Sequence, residues 1–104
     1  MSLPAIDPSD MALHADAASG LLKALANPNR LMLLCMLVEG ERNVSDLNQD
    51  VWLSQSALSQ HLAKLRQEGL VETRRDGQSV FYRIVDGPAL KVVEALHAHY
   101  CQGD

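Results

Sequence analysis

Apolar positions along the 104-residue chain change period several times, and each change marks an element. Asp7-Pro8 is a helix-start signal, Asp as N-cap and Pro at the first helical position. From there Met11, Ala15, Ala18, Leu21, Leu22 and Leu25 recur at three- and four-residue spacing, which predicts a first helix. Its small residues suit close packing against another helix, from a second subunit or from its own core. Asn27-Pro28 repeats the start signal, and Leu31 to Val38 is apolar on nearly every side, predicting a central, buried second helix that ends at Gly40. Asn43 and Asp46 resemble a capping box opening a short third helix that runs through Asn48 or Gln49. Ser54 caps a fourth helix with Ala57, Leu58, Leu62 and Leu65 on its apolar face, and Gly69 supplies a left-handed stop. Met1 to Ile6 carry no period and are expected to fray.

After Gly69 the period shortens to that of strands. Leu70 to Asp76 and Ser79 to Val85 are rich in β-branched and aromatic residues and flank Asp76-Gly77, a strong hairpin signal. Asp86-Gly87-Pro88 then starts a last helix with two apolar faces, Leu90, Val93, Leu96 and Tyr100 on one and Ala89, Val92 and Ala95 on the other. Two such faces on a terminal helix suggest that one packs its own domain and the other a partner subunit. The predicted class is mainly α with a β-hairpin wing: one domain over residues 1–104, five helices with the hairpin between the fourth and fifth. That order is a winged helix-turn-helix.

Composition changes this picture little. Aromatics are few, while Leu and Ala dominate, favouring packed helices. No apolar run approaches the ~20 residues of a membrane span and no basic-then-apolar leader opens the chain, so a cytoplasmic protein without a membrane partner is expected. Charge matters more. The net charge of −4 argues against nucleic acid on its face, but Ser54 to Arg83 holds five basic residues against three acidic, and the remainder four against ten. The basic charge thus coincides with the fourth helix and the hairpin.

On that helix Gln55, Ser56, Ser59 and Gln60 lie opposite the leucines. Gln can pair bidentately with adenine and Ser can meet base edges or phosphates. His61 borders the row, while Lys64 and Arg66 lie further along, where they could neutralise phosphate. Arg74 and Arg75 near the hairpin tip suit a wing on the DNA backbone or minor groove. Taken singly, each Ser or Gln reads equally as a solubilising residue and each arginine as an ordinary surface cation. The two cysteines, Cys35 and Cys101, lie 66 positions apart, and in the cytosol such a pair is seldom a structural disulfide. A free Cys is commonly a small buried hydrophobe.

The string LSQSALSQHLAKLRQEGLVETRRDGQSVFYRI resembles the signature segment of the ArsR family of dimeric winged-helix repressors. LLKALANPNRLMLLCML resembles that family's second helix with the turn before it, and with YCQ near the C-terminus the likeness is to the HlyU, BigR and SqrR type. The resemblance implies a homodimer paired through the first and last helices on a near-palindromic double-stranded operator. DNA reading would fall on Ser54, Gln55, Ser56, Ser59, Gln60 and His61, with Arg74, Arg75 and Gln78 in the wing. Where metal-sensing members carry Cys-x-Cys-Asp, this chain has Asn43, Val44, Ser45 and Asp46, so no thiolate site exists there. No cofactor or metal is predicted. His97 and Cys101, one turn apart, could give two ligands per subunit, against the blander account of a surface His and a terminal Cys. Cys35 and Cys101 match the two cysteines of the HlyU, BigR and SqrR type, which implies a dithiol switch answering oxidants or reactive sulfur species.

The expected function is therefore a sequence-specific transcription regulator controlled through Cys35 and Cys101. Alternatives are DNA binding without a sensing step, as in an anti-repressor, and a winged helix used as a protein-interaction module. An enzyme is not expected. Ser59 and His61 splay apart at two-residue spacing, and no Gly-rich phosphate loop or paired inward carboxylates occur.

Overall fold

The computed structural model describes residues 7–101. The expected fraying of Met1–Ile6 and Gln102 of the C-terminal motif lie outside them. The order is α1 (Pro8–Leu25), α2 (Pro28–Val38), β1 (Arg42–Asn43), α3 (Val44–Asp50), α4 (Gln55–Gln67), β2 (Val71–Asp76), β3 (Ser79–Ile84) and α5 (Pro88–Tyr100). The five helices and the hairpin between α4 and α5 are as the periodicity predicts. β1 is an addition: two residues pair antiparallel with β3, Arg42 with Tyr82 and Asn43 with Phe81, giving a three-stranded sheet ordered β1-β3-β2. No single helix among the described residues is long and apolar enough to cross a membrane.

Helix starts follow local chemistry. The side chains of Asp7, Asn27, Asn43 and Ser54 accept backbone N–H bonds from Ser9, Arg30, Asp46 and Ala57, satisfying donors that the helices leave open. Serine 9 also holds the Asp7 carboxyl below its ordinary range through side-chain and backbone hydrogen bonds. The end of α4 is a complete Schellman motif. Leu70 N–H bonds Leu65 C=O at 2.9 Å, Gly69 N–H bonds Arg66 C=O at 3.0 Å, and Gly69 takes φ +75°. Leu65 and Leu70 are both buried there, so the stop also fixes where β2 begins.

The hairpin strands meet at Asp76 and Ser79, the inner ends that the sequence predicts, and Asp76 of the Asp-Gly signal is the last residue of its strand. Asp76 pairs with Ser79, so the two loop residues are Gly77 and Gln78. Gly77 has φ +64° and Gln78 is not left-handed, the pattern of a turn with glycine at its first central position. Such a turn matches the strand twist as well as Asp-Gly would.

One apolar cluster joins Leu33, Leu34 and Leu37 of α2, Leu47 of α3, Leu58, Leu62 and Leu65 of α4, and Val93 of α5. The inner stripe of α5 is Ala89, Val93 and His97, which takes one residue from each of the two expected apolar faces; Leu90 and Leu96 flank it half-buried and Tyr100 is exposed. Helix α2 is not buried all round either. Leu31, Cys35 and Met36 are half-buried and Met32 is exposed, because only one flank faces the core and the other lines a groove toward α5. α1 meets α2 at 91° and contributes only Leu25 as a fully buried residue; Met11 and Leu13 are 53% and 69% exposed.

Gly69→Ala is expected to destabilise the protein by about 1–2 kcal/mol, since open space surrounds the position and only the left-handed backbone resists a Cβ. Leu62→Ala, which hollows the core, should cost about 2–5 kcal/mol. Urea unfolding of both variants measures the order.

Candidate nucleic-acid interface and thiol groove

Burial of Leu58, Leu62 and Leu65 sets the rotation of α4, and everything else on the helix follows from it. Gln55, Ser56, Ser59 and Gln60 are all exposed on the opposite arc, and His61 is half-buried at its border. Ser54 is partly committed to local structure: its Oγ accepts from Ala57 N–H at 3.1 Å and lies 3.3 Å from Ser56 Oγ. The N-terminus of α4 and the wing loop meet. Gln55 and Gln78 share a hollow of about 320 Å³ with Asn43, Ser45 and Ser79. A neighbouring hollow brings Asn48 and Gln49 beside Gln55. Sequence reading did not single out these α3 residues, because a polar residue on a seven-residue helix carries no periodic signal.

The cations are less available than their count implies. Arg74 donates through Nε to Glu41 Oε1 at 2.7 Å, and its guanidinium lies 4.6 Å above the Phe81 ring, its partner across the ladder. The hydrogen bond with Arg74, then its positive charge, holds the Glu41 carboxyl below the ordinary carboxylate range and raises Arg74 in turn. Arg83 is paired with Glu72, and Lys64 lies 3.8 Å from Glu68. Arg66 and Arg75 make no ion pair among the described residues. The basic stretch read from the sequence is therefore largely neutralised by its own carboxylates, with Arg66 and Arg75 left to face an anion.

The second feature is a groove of about 460 Å³ between α2 and α5, lined mainly by apolar side chains. Cys35 and Cys101 both line it, so residues 66 positions apart share one cavity. Cys35 is half-buried and Cys101 exposed. Burial pushes the Cys35 thiol up, helped by the nearby Cys101 and by the Glu39 charge. His97, weighed above as a surface side chain or metal ligand, is neither exposed nor free: it is 5% exposed and its Nε2–H donates to Glu39 Oε2 at 2.9 Å. Among the described residues no three His, Cys, Asp or Glu side chains converge as metal ligands.

A helix-turn-helix whose second helix shows a polar row, followed by a hairpin against its N-terminal end, defines the winged-helix class of DNA-binding proteins. Residues 27–73 match the profile of bacterial regulatory proteins of the arsR family. The chain is 47% identical over 95 residues to the transcriptional activator HlyU of Vibrio cholerae, covering 91% of this chain and 88% of that one. It is 43% identical over 100 residues to the biofilm growth-associated repressor of Xylella fastidiosa, covering 96% and 88%. The crystal structure of the transcriptional repressor BigR from Xylella fastidiosa superposes with a TM-score of 0.86 at 44% identity, over 92% of this chain and 95% of that one. The chain belongs to the ArsR family of winged-helix transcription regulators and is a DNA-binding regulator.

Thiol reactivity provides a direct check. Iodoacetamide should modify Cys101 before Cys35 at neutral pH, and the Cys35 rate should keep rising above the pH at which an ordinary thiol levels off. The folded protein binds the Cys35 proton more tightly than the unfolded chain does. That stabilisation is fully present at neutral pH and is lost as pH climbs through the raised folded value. Mass spectrometry of peptides alkylated across pH, with and without urea, reads the difference.

Proposed function

We propose that the protein acts as a homodimer paired through α1 and α5, each protomer laying α4 in a major groove of a near-palindromic operator, with occupancy controlled through Cys35 and Cys101. The observation that carries the DNA reading is the exposed row Gln55, Ser56, Ser59 and Gln60 on a helix locked by three leucines of zero exposure. Base reading falls on that row, and His61 at its edge, Lys64 and Ser54 meet the backbone. Arg75 and Gln78 of the wing reach the flank, and Arg74 joins them when phosphate displaces Glu41. Pairing is supported by the exposed apolar residues Met11, Leu13 and Leu22 on α1 and Tyr100 on α5. One of the relatives is named an activator and another a repressor, so the reading concerns operator occupancy rather than its sign.

Control through the thiols is supported by the shared groove. With a peroxide as oxidant, the two thiols lose two electrons and two protons as the S–S bond forms, and the peroxide is reduced to water or an alcohol and water. A polysulfide is instead cleaved at its S–S bonds, leaving one or more of its sulfur atoms between the cysteines, while the rest departs as sulfide or shorter polysulfide with the two thiol protons. The exposed Cys101 reacts first, and Cys35 resolves it by giving up its proton and attacking as the thiolate. A short route leads from this groove to the wing. Glu39, which holds His97 of α5, and Glu41, which holds Arg74 of β2, flank Gly40 in the same bend. Gly40 between them takes φ +148°, a backbone conformation that residues with side chains rarely adopt. Moving α5 pulls Glu39, and Glu41 moves with it.

Two outcomes test this. Gln60→Ala should discriminate against the operator by about 1–3 kcal/mol, whereas Arg75→Ala should weaken all duplexes alike and reduce the log–log salt slope by about one; fluorescence anisotropy over a salt series separates them. Treating the protein with peroxide or polysulfide should link Cys35 to Cys101 on non-reducing mass spectrometry and lower operator affinity. Glu39→Gln should still form the link yet keep most of its affinity. If no link forms with either reagent, the thiol reading fails, and if Glu39→Gln responds like the parent, only the route through Glu39 fails.

A further inference from the structure

The chain has a single tryptophan, Trp52, in the turn between α3 and α4, and its side chain is fully exposed. Its neighbours behave oppositely: Val51 is buried and Leu53 packs against the core. Asn48 Nδ2 donates to the Leu53 carbonyl at 3.0 Å, and Ser54 closes the turn by capping α4. The backbone is therefore held on both sides of Trp52, and the indole is presented to solvent from a fixed base. Single exposed apolar residues are ordinary, but a whole indole forgoes the largest burial any side chain offers.

We propose that Trp52 is a DNA-contacting residue, its ring packing on a deoxyribose of the operator backbone and its Nε1–H donating to a phosphate oxygen there. The proposal rests on the reading of α4 as the helix in the major groove. Trp52 lies three residues before Gln55, at the end of α4 that meets base edges in a helix-turn-helix. The segment that carries it offers phosphate no cation. Val44 to Ser54 contains no Lys or Arg but does contain Asp46 and Asp50, and Arg42 is occupied by Asp50 at 2.6 Å and the Asp46 carbonyl at 2.9 Å. At such an edge the backbone is best met by a neutral group. An indole suits it, with an apolar face for the sugar, one N–H for the phosphate and no charge for Asp50 to capture.

Because no other tryptophan is present, intrinsic fluorescence reports this residue without a label. Titrating the reduced full-length protein with its footprinted operator duplex should shift the emission to the blue and shield it from acrylamide. Trp52→Ala should lower operator affinity roughly tenfold. Its salt slope should stay at the parent value, because no charge is removed. Trp52→Phe should recover part of the loss, keeping the ring face without the N–H. The thermal midpoint of Trp52→Ala should match the parent, since the side chain buries nothing. Unchanged emission and quenching at saturating operator, or parent-like affinity of Trp52→Ala, overturns the proposal. So does an emission shift that follows protein concentration without DNA, which assigns the indole to a contact between copies. If Gln60→Ala weakens binding while Trp52 stays silent, the α4 reading stands and this inference alone fails; if neither variant matters, both fail.

Discussion

The stripe Leu58, Leu62 and Leu65 is the constraint on which the functional surface depends. All three are completely buried, with α4 packed on α2, α3 and β2, so α4 cannot rotate about its axis without exposing them. A helix locked on one side presents a fixed arc on the other, and the Ser and Gln row inherits its orientation from this packing. The Schellman stop at Gly69 adds the second constraint, because Leu70 folds back onto Leu65 and launches β2 from a defined point. The wing is thereby registered to α4. Gln55 and Gln78 end in one hollow through two independent devices, a leucine stripe and a turn with glycine at φ +64°.

Charge in this fold is spent mostly inside the protomer. Three of the five basic residues between Ser54 and Arg83 sit within an ion pair. Exposed pairs of this kind contribute little to stability, so their value lies in geometry. Arg74 is the clearest case, gripped by Glu41 and stacked on Phe81. On the proposed DNA reading, a phosphate that recruits Arg74 must displace a carboxylate, which would lower non-specific affinity and leave recognition to the polar row. An acidic chain with few free cations is thus consistent with DNA binding that leans on base contacts rather than on counterion release.

Local signals explain what was legible in the sequence. The caps at Asp7, Asn27, Asn43 and Ser54, the Gly69 stop and the leucine stripe of α4 are set by neighbours within a few positions, and each is where the sequence puts it. β1 was not legible, since two residues carry no period and their strand character comes only from pairing with β3. The partner of Arg74 lies 33 positions away, and that of His97 lies 58 positions away. No local pattern reports such pairs. His97 also shows why helical faces were split wrongly on α5: a histidine satisfied by Glu39 can occupy a core position that composition alone gives to Leu96 or Tyr100. The cysteines were found by resemblance, and only the fold puts them in one groove.

α1 carries the argument for pairing. Eighteen residues long, it has one fully buried side chain in the protomer, and every residue from Pro8 to Gly20 is exposed. A helix with so little tertiary packing has little to hold it in water, because propensity alone barely sustains that length. Its exposed Met11, Leu13 and Leu22 therefore favour a second surface. Two further exposed apolar residues, Met32 on α2 and Tyr100 on α5, border the thiol groove. If a second copy covers them, the helices that hold Cys35 and Cys101 also set the spacing of the two reading helices. A covalent link across that groove then acts where a small displacement is read twice, once in each half-site.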